Sequence, residues 1–145
     1  MNIKYFDHSA TTPVDDKVLE VMIPYFCEEF GNPSSVYNIG KKNKEAINIS
    51  RMKIANLFGC KVNEIYFTSG GSESDNMILK GIAFANKNKG NHIITTKIEH
   101  HAMLHSCEFL EKKGYKVTYL DVEADGMVTP EALEAAKTTL ESMIK

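Results

Sequence analysis

A strand-to-helix turn in the middle of the sequence carries the residues best suited to hold a phosphate group. Gly70, Gly71 and Ser72 follow a β-prone run at 64–68 and precede a segment with helical periodicity. Glycines let a ligand approach the backbone closely, and the free N–H groups and positive dipole end of a new helix favour an anion. The Ser72 hydroxyl adds a further donor. We therefore expect a phosphate site at this turn.

The same turn has a purely structural explanation. Ser72 and Asp75 fit an S-x-x-D capping pattern, so the two glycines could serve only a tight turn with a good N-cap. The nucleotide-binding signatures G-x-x-x-x-G-K-[ST] and G-x-G-x-x-G are absent from the sequence. A nucleotide ligand is therefore disfavoured, and a phosphate carried by another cofactor stays open.

A histidine-rich segment follows the next β-prone run. His100 comes just after the run at 92–96, so it is expected at the carboxyl end of the sheet, where open α/β sheets bind their ligands. A neutral imidazole there can stack on a flat aromatic cofactor, or act as an acid or base near neutral pH. His100 is therefore the candidate catalytic residue.

Two further histidines raise the question of a metal. His101 and His105 are four residues apart, which places them on one helix face, and Cys107 lies near them in the sequence. The pattern is not H-E-x-x-H, and no Cys-x-x-Cys pair supplies further ligands. We predict no metal site, and we expect both histidines on the helix surface or half-buried.

Alternating strands and helices must position these groups. Apolar periodicity and helix-start signals predict five helices, and three β-prone runs predict strands. Strands that alternate with helices of ten or more residues indicate an α/β layered domain with a mainly parallel sheet. The predicted helices are 15–26, 40–58, a segment reaching Ala85, 102–113 and one from Glu131, and the predicted strands are 64–68, 92–96 and 116–122.

Composition and charge exclude several classes of protein. The 145 residues are 43% hydrophobic and 25% charged, which is typical of a globular domain. A formal net charge of −2 argues against nucleic acid or an anionic membrane as partner. Three irregularly spaced cysteines predict no disulfide framework. Together with the lack of a signal sequence, they favour a cytoplasmic location.

Four separated motifs run through the chain. They are Tyr5-Phe6-Asp7-His8-Ser9-Ala10-Thr11-Thr12-Pro13, Phe30-Gly31-Asn32-Pro33-Ser34-Ser35, residues 64–76 and residues 92–101. Together, and in this order, they resemble the motifs of the NifS/IscS-type cysteine desulfurases, within the class V aminotransferases, and the resemblance extends from residue 5 to about 135. It implies the N-terminal part of a fold-type-I transferase with α/β/α layers, incomplete in this chain, whose cofactor is pyridoxal 5′-phosphate (PLP).

The resemblance also implies roles for particular residues. Gly70, Gly71 and Ser72 match the family's Gly-Gly-Thr turn, which holds the cofactor phosphate, and serine in place of threonine keeps the hydroxyl. His100 would stack on the pyridine ring and shuttle protons. A further set would border the substrate pocket or lie on a loop near it. These substrate-side residues are Ala10, Thr11, Thr12 and Asn32.

The implied activity is removal of sulfur from L-cysteine by a homodimer. The products would be L-alanine and an enzyme persulfide that serves Fe–S cluster or thio-cofactor assembly, with Fe–S scaffold or sulfur-acceptor proteins as partners. Such an enzyme needs a Schiff-base lysine, an acidic partner for the pyridinium nitrogen and a nucleophilic cysteine. In the family all three lie downstream of position 145. We therefore expect this chain alone to be inactive and to bind PLP weakly or not at all.

The resemblance divides the chain into two parts. Residues 1–35 would form an N-terminal arm and substrate-side segment, and residues 36–145 the first part of the large PLP-binding domain. Three alternatives stay open. They are a selenocysteine lyase-like enzyme, a non-catalytic truncated module that associates with itself or with a desulfurase subunit, and a simple phosphate or PLP binder.

Overall fold

The computed structural model describes residues 4–143, of which 138–143 are described by their backbone alone. All five predicted helices are present. Within residues 4–143, no helix is long and apolar enough to cross a membrane. The elements are α1 (Asp16–Cys27), α2 (Asn38–Phe58), a 3-10 turn (Val62–Glu64), α3 (Gly71–Ala85), β1 (His92–Thr96), α4 (His101–Glu111), β2 (Lys116–Leu120) and α5 (Pro130–Met143).

Local sequence signals explain most of the helix ends. The Asp15 carboxylate accepts a hydrogen bond from Lys17 N–H at 2.9 Å and so caps α1. Gly59 ends α2 with φ 65°, a left-handed conformation that costs glycine little. The Thr129 hydroxyl accepts from Ala132 N–H at 3.1 Å at the start of α5. These ends confirm the predicted helix signals.

The chain forms two compact units, with the boundary between Tyr66 and Phe67. In the first unit, the loop before α2 packs closely on the start of that helix. A Cβ at Gly40 would clash with Asn32 O, and the buried Asn43 donates from Nδ2 to Gly31 O at 2.6 Å. The predicted functional division at residue 35 is a separate matter and stays a prediction.

The second unit contains the sheet. β1 and β2 pair in parallel, with His92 opposite Lys116 and Thr96 opposite Leu120. α4 connects the two strands and packs on α3 and β2. The buried residues of this unit are Ser106, Cys107, Leu110, Tyr115 and Ala136. The parallel β1–α4–β2 arrangement agrees with the predicted α/β class.

The predicted strand at 64–68 is wrong. Glu64 ends the 3-10 turn, and no strand is assigned to residues 65–68, although Ile65 is extended at φ −98° and ψ 124°. The backbone carbonyl of Ile65 accepts from Arg51 Nε at 3.2 Å. A β-prone run becomes a strand only when another strand pairs with it, and the described residues supply none here.

Candidate cofactor site

The Gly70–Gly71–Ser72 turn forms the N-terminus of α3. The first backbone bond of this helix runs from Ser74 N–H to Gly70 O at 3.1 Å. The N–H groups of Gly71, Ser72 and Glu73 therefore precede the hydrogen-bonded ladder, as in any α-helix. Together with the helix dipole, these donors make the turn suited to an anion.

The two glycines keep this turn open. A Cβ built on either Gly70 or Gly71 would meet nothing within 4 Å. The Gly70 backbone is extended at φ 161° and ψ 179°, a conformation that any residue adopts. Neither packing nor backbone conformation in the described chain requires glycine at these two positions. The absence of side chains does, however, let a ligand reach the backbone N–H groups. The turn fits a phosphate such as that of PLP.

The side chains of Glu73 and Thr68 join the residues before the glycines to the start of α3. The Glu73 carboxylate accepts from both the N–H and the hydroxyl of Ser69, each at 2.6 Å. Thr68 Oγ1 donates to Gly70 O at 3.2 Å and lies 2.7 Å from Ser74 Oγ. These hydrogen bonds stabilise the turn, and none of them involves Ser72 Oγ.

The predicted capping pair is therefore wrong. Gly70 occupies the N-cap position and makes no side-chain cap bond, so Ser72 and Asp75 do not cap α3. Glu73 instead folds back onto Ser69, because its longer side chain can span the glycine pair. The two hydrogen bonds from Ser69 lower the pKa of Glu73, with the hydroxyl contributing more than the N–H. Sequence analysis missed Glu73, although its spacing of four from Ser69 was visible.

His100 lies at the N-cap of α4, four residues beyond the last residue of β1. Its Nδ1 accepts a hydrogen bond from Ala102 N–H at 3.1 Å. Because Nδ1 is the acceptor, the neutral ring carries its proton on Nε2. The ring is exposed, so it can receive a planar ligand and present an N–H donor.

The carboxyl ends of the strands carry polar side chains. Lys97 Nζ lies 2.6 Å from Asp121 Oδ1, in an ion pair that joins the segments following β1 and β2. Thr96 Oγ1 donates to Glu99 Oε1 at 3.1 Å, just before His100. These contacts hold the loop that leads from β1 to His100 close to the sheet.

The predicted substrate-side residues all lie in the first unit. The segment with Ala10, Thr11 and Thr12 is exposed and lies outside any helix or strand, and Ala10 N–H donates to Asp7 O at 3.1 Å. Asn32 is also exposed, and its Oδ1 accepts from Ser34 N–H at 2.8 Å within its own loop. Their role at a substrate pocket stays a prediction.

The three cysteines differ sharply in exposure. Cys27 is exposed, Cys60 is half-buried and Cys107 is fully buried. Desolvation, followed by the negative charges of Glu111 and Glu99, raises the pKa of the Cys107 thiol. Since the thiolate is the reactive form, Cys107 is unsuited to nucleophilic chemistry.

Comparison with known proteins places this chain in a family. The sequence matches the Aminotransferase class-V family over residues 4–142, and the chain belongs to that family. Cysteine desulfurases of this family depend on PLP. The relationship inferred from the four motifs is thereby confirmed.

Individual relatives show which members of the family this chain resembles. The chain is 61% identical over 132 residues to the cysteine desulfurase IscS of Methanosarcina thermophila, covering 91% of this chain and 33% of that protein. It is 58% identical over 134 residues to IscS of Clostridium botulinum, covering 92% and 34%. The chain thus spans about a third of the length of these relatives.

Solved structures agree. A NifS-like protein superposes with a TM-score of 0.85 at 44% identity, covering 90% of this chain and 36% of that chain. SspA, solved in complex with cysteine, superposes with a TM-score of 0.86 at 42% identity, covering 92% and 39%. These likenesses confirm the fold class predicted from the resemblance.

Proposed function

We propose that this chain supplies the phosphate-binding turn and the ring-stacking histidine of a PLP-dependent cysteine desulfurase. The activity is the removal of sulfur from L-cysteine to leave L-alanine, with the sulfur passed to a cysteine thiolate as a persulfide. The observation that carries the proposal is the open Gly70–Gly71–Ser72 turn at the start of α3. High identity to IscS proteins supports it.

Residues of this chain hold the cofactor in the proposal. The N–H groups at the start of α3 and the Ser72 hydroxyl bind the phosphate, while Glu73 and Ser69 brace the turn. His100 stacks on the pyridine ring and holds a proton on Nε2, ready for donation near the substrate. Bound PLP supplies an electron sink for the bond cleavage.

The phosphate assignment is tested with Ser72→Ala. In a complete desulfurase carrying this site, absorbance titration with PLP should show an affinity weaker by roughly tenfold to a hundredfold, which corresponds to the value of about 1.5–3 kcal/mol for one hydrogen bond to a charged group. Ser50→Ala is the matched control, because the Ser50 hydroxyl already donates to Ala46 O within α2. Equal PLP affinity of Ser72→Ala and the unaltered protein would remove Ser72 from the site.

The role of His100 is separable into stacking and proton transfer. In a complete desulfurase carrying this site, His100→Phe keeps an aromatic face and removes the proton on Nε2. We expect near-normal PLP binding with alanine formation reduced about 10²-fold or more, the usual contribution of a general acid or base. Unchanged alanine formation would limit His100 to a stacking role.

The chain by itself is proposed to be inactive. None of its lysines stands in the family's Ser-His-Lys context, and the buried Cys107 cannot serve as sulfur acceptor. Incubation with L-cysteine and PLP should release neither alanine nor sulfide above the rate of free PLP. Robust turnover by these 145 residues would overturn this part of the proposal.

We also propose self-association and a cytoplasmic location. No residue of α1 is buried, and its apolar side chains Val21, Ile23 and Phe26 are 54–70% exposed. Exposed apolar surface of this kind invites a partner, and a second copy is the one that we propose. Fe–S scaffold or other sulfur-acceptor proteins are the proposed recipients of the sulfur. The free cysteines agree with a reducing compartment.

A further inference from the structure

The first two turns of α4 expose a pair of histidines that the cofactor site does not use. His101 and His105 are both exposed and one helical turn apart. Their rings lie nearly parallel, at 19°, with centroids 5.7 Å apart. Within residues 4–143, no group of three or more metal-ligating side chains occurs, so any metal here would have two protein ligands.

Glu108 fixes the orientation of one of these rings. His105 Nδ1 lies 3.2 Å from Glu108 Oε2. An ionised carboxylate can only accept, so Nδ1 carries the proton in this contact and Nε2 of the neutral ring keeps its lone pair. Metal-bound histidines commonly donate their other N–H to a carboxylate in this way. Neither ring nitrogen of His101 is hydrogen-bonded to any residue in the described part of the chain.

The spacing of the rings suits a shared ion. Zn²⁺–imidazole bonds of 2.0–2.1 Å place the ring centroids of two adjacent ligands roughly 5 Å apart. The observed 5.7 Å is near this value, and rotation about the side-chain torsions of the two exposed histidines would turn the nearly parallel rings so that both Nε2 atoms face one ion. The i, i+4 spacing is also the one at which helical histidines bind a common metal.

We propose that His101 and His105 form a two-histidine chelate for a borderline divalent transition ion such as Zn²⁺. Both rings bind through Nε2, Glu108 orients His105 from the second coordination sphere, and water completes the coordination. His100 stays outside the site, because its Nδ1 is already bonded to Ala102 N–H. This inference replaces the metal-free prediction for this helix and is independent of the proposed cofactor site.

The test is a Zn²⁺ titration by calorimetry. Cys27→Ser and Cys60→Ser are introduced throughout, since these thiols are at least partly exposed and bind zinc themselves. We expect one ion per chain. His101→Ala and His105→Ala should each weaken binding at least about tenfold, and Glu108→Gln should weaken it to a smaller degree. His8→Ala is the control and should bind as the parent does.

Chelation makes a sharper prediction for the double variant. Each single substitution loses both its own Zn²⁺ bond and the benefit of chelation, so the loss of binding free energy in His101→Ala/His105→Ala should be smaller than the sum of the two single losses. Circular dichroism should show unchanged helix content, because alanine is a strong helix former at these exposed positions. Additive losses, or a parent affinity no higher than that of either single variant, would overturn the proposal.

Discussion

Glu73 illustrates how a residue beside a binding turn can matter without touching the ligand. Its carboxylate accepts two hydrogen bonds from Ser69 and so ties the residue before the glycine pair to the first turn of α3. The negative charge also lies near the positive end of the helix dipole, which stabilises the helix start. The turn is thereby held in shape whether or not a phosphate occupies it.

This arrangement predicts a pH-dependent contribution to stability. The folded-state pKa of Glu73 lies below its ordinary value of 4.5, so the contribution is present above that value and is lost as the pH falls through the folded pKa. In urea unfolding, the stability difference between the parent and Glu73→Gln should shrink as the pH falls from about 6 to below 4.5. Glu45→Gln, at an exposed carboxylate on α2, is the control for the change of charge itself. A difference that stays constant with pH would contradict the Glu73–Ser69 contact.

For single residues, the sequence predicted which residue types stand at the candidate site, but not all of their hydrogen-bond partners. The Gly70–Gly71–Ser72 turn and the position of His100 were predicted because strand, glycine and helix signals stand next to each other in the chain. Glu73 and Glu108 were missed, since a carboxylate on a helix surface is usually solvated. Only coordinates show that one accepts from Ser69 and the other from His105.

Among the elements, α3 and α2 offer opposite responses to the same substitution. Gly81 lies inside α3, and a Cβ there would meet nothing within 4 Å. Gly81→Ala should therefore stabilise the protein by about 0.5–1 kcal/mol, through helix propensity. Gly40→Ala on α2 should destabilise it by about 1–3 kcal/mol, because its Cβ would clash with the Asn32 carbonyl. Thermal unfolding of the two variants gives the comparison, and equal effects would refute the packing of this loop.

α4 carries three of the buried residues described in the second unit, Ser106, Cys107 and Leu110, so truncation there should be costly. Leu110 is fully buried, and Leu110→Ala should lower the free energy of unfolding by about 2–5 kcal/mol. Ile82→Ala is the matched control, because that side chain is 60% exposed and should cost less than about 1 kcal/mol. Similar losses for both variants would mean that Leu110 is not at the centre of this unit.

Helices were easier to predict than strands for a physical reason. A helix satisfies its hydrogen bonds within one segment, so caps such as Asp15 and Gly59 mark its ends in the sequence itself. A strand depends on a partner that lies elsewhere in the chain. The run at 92–96 has one in 116–120, whereas 65–68 has none among the described residues.

For the whole molecule, the exposed apolar surface of α1 predicts association. Val21 is 65% exposed on α1, and Val21→Glu should abolish a concentration-dependent dimer, because a charge there cannot be buried without a partner. Val36→Glu is the control, since Val36 is 84% exposed and lies outside α1. Size-exclusion chromatography with light scattering measures the mass. A parent that is monomeric at high concentration would contradict the proposal.

Family membership was predictable from four separated motifs because their order, rather than any one of them, carries the information. How residues from these motifs act together was not predictable, because Ala10 and Asn32 lie in one compact unit and Ser72 and His100 lie in the other. Sequence spacing does not determine how residues from distant segments meet.

Because the three thiols differ in burial, their rates of chemical modification should differ and should report on local opening of the structure. A thiol reagent should modify Cys27 at once and Cys60 more slowly, while Cys107 can react only when α4 opens. Under conditions of fast reclosing, the ratio of the Cys107 rate to that of an unstructured thiol gives the free energy of this opening directly. Ligand binding near the N-terminus of α4 could then be followed as a slower labelling rate, without any spectroscopic signal from the ligand.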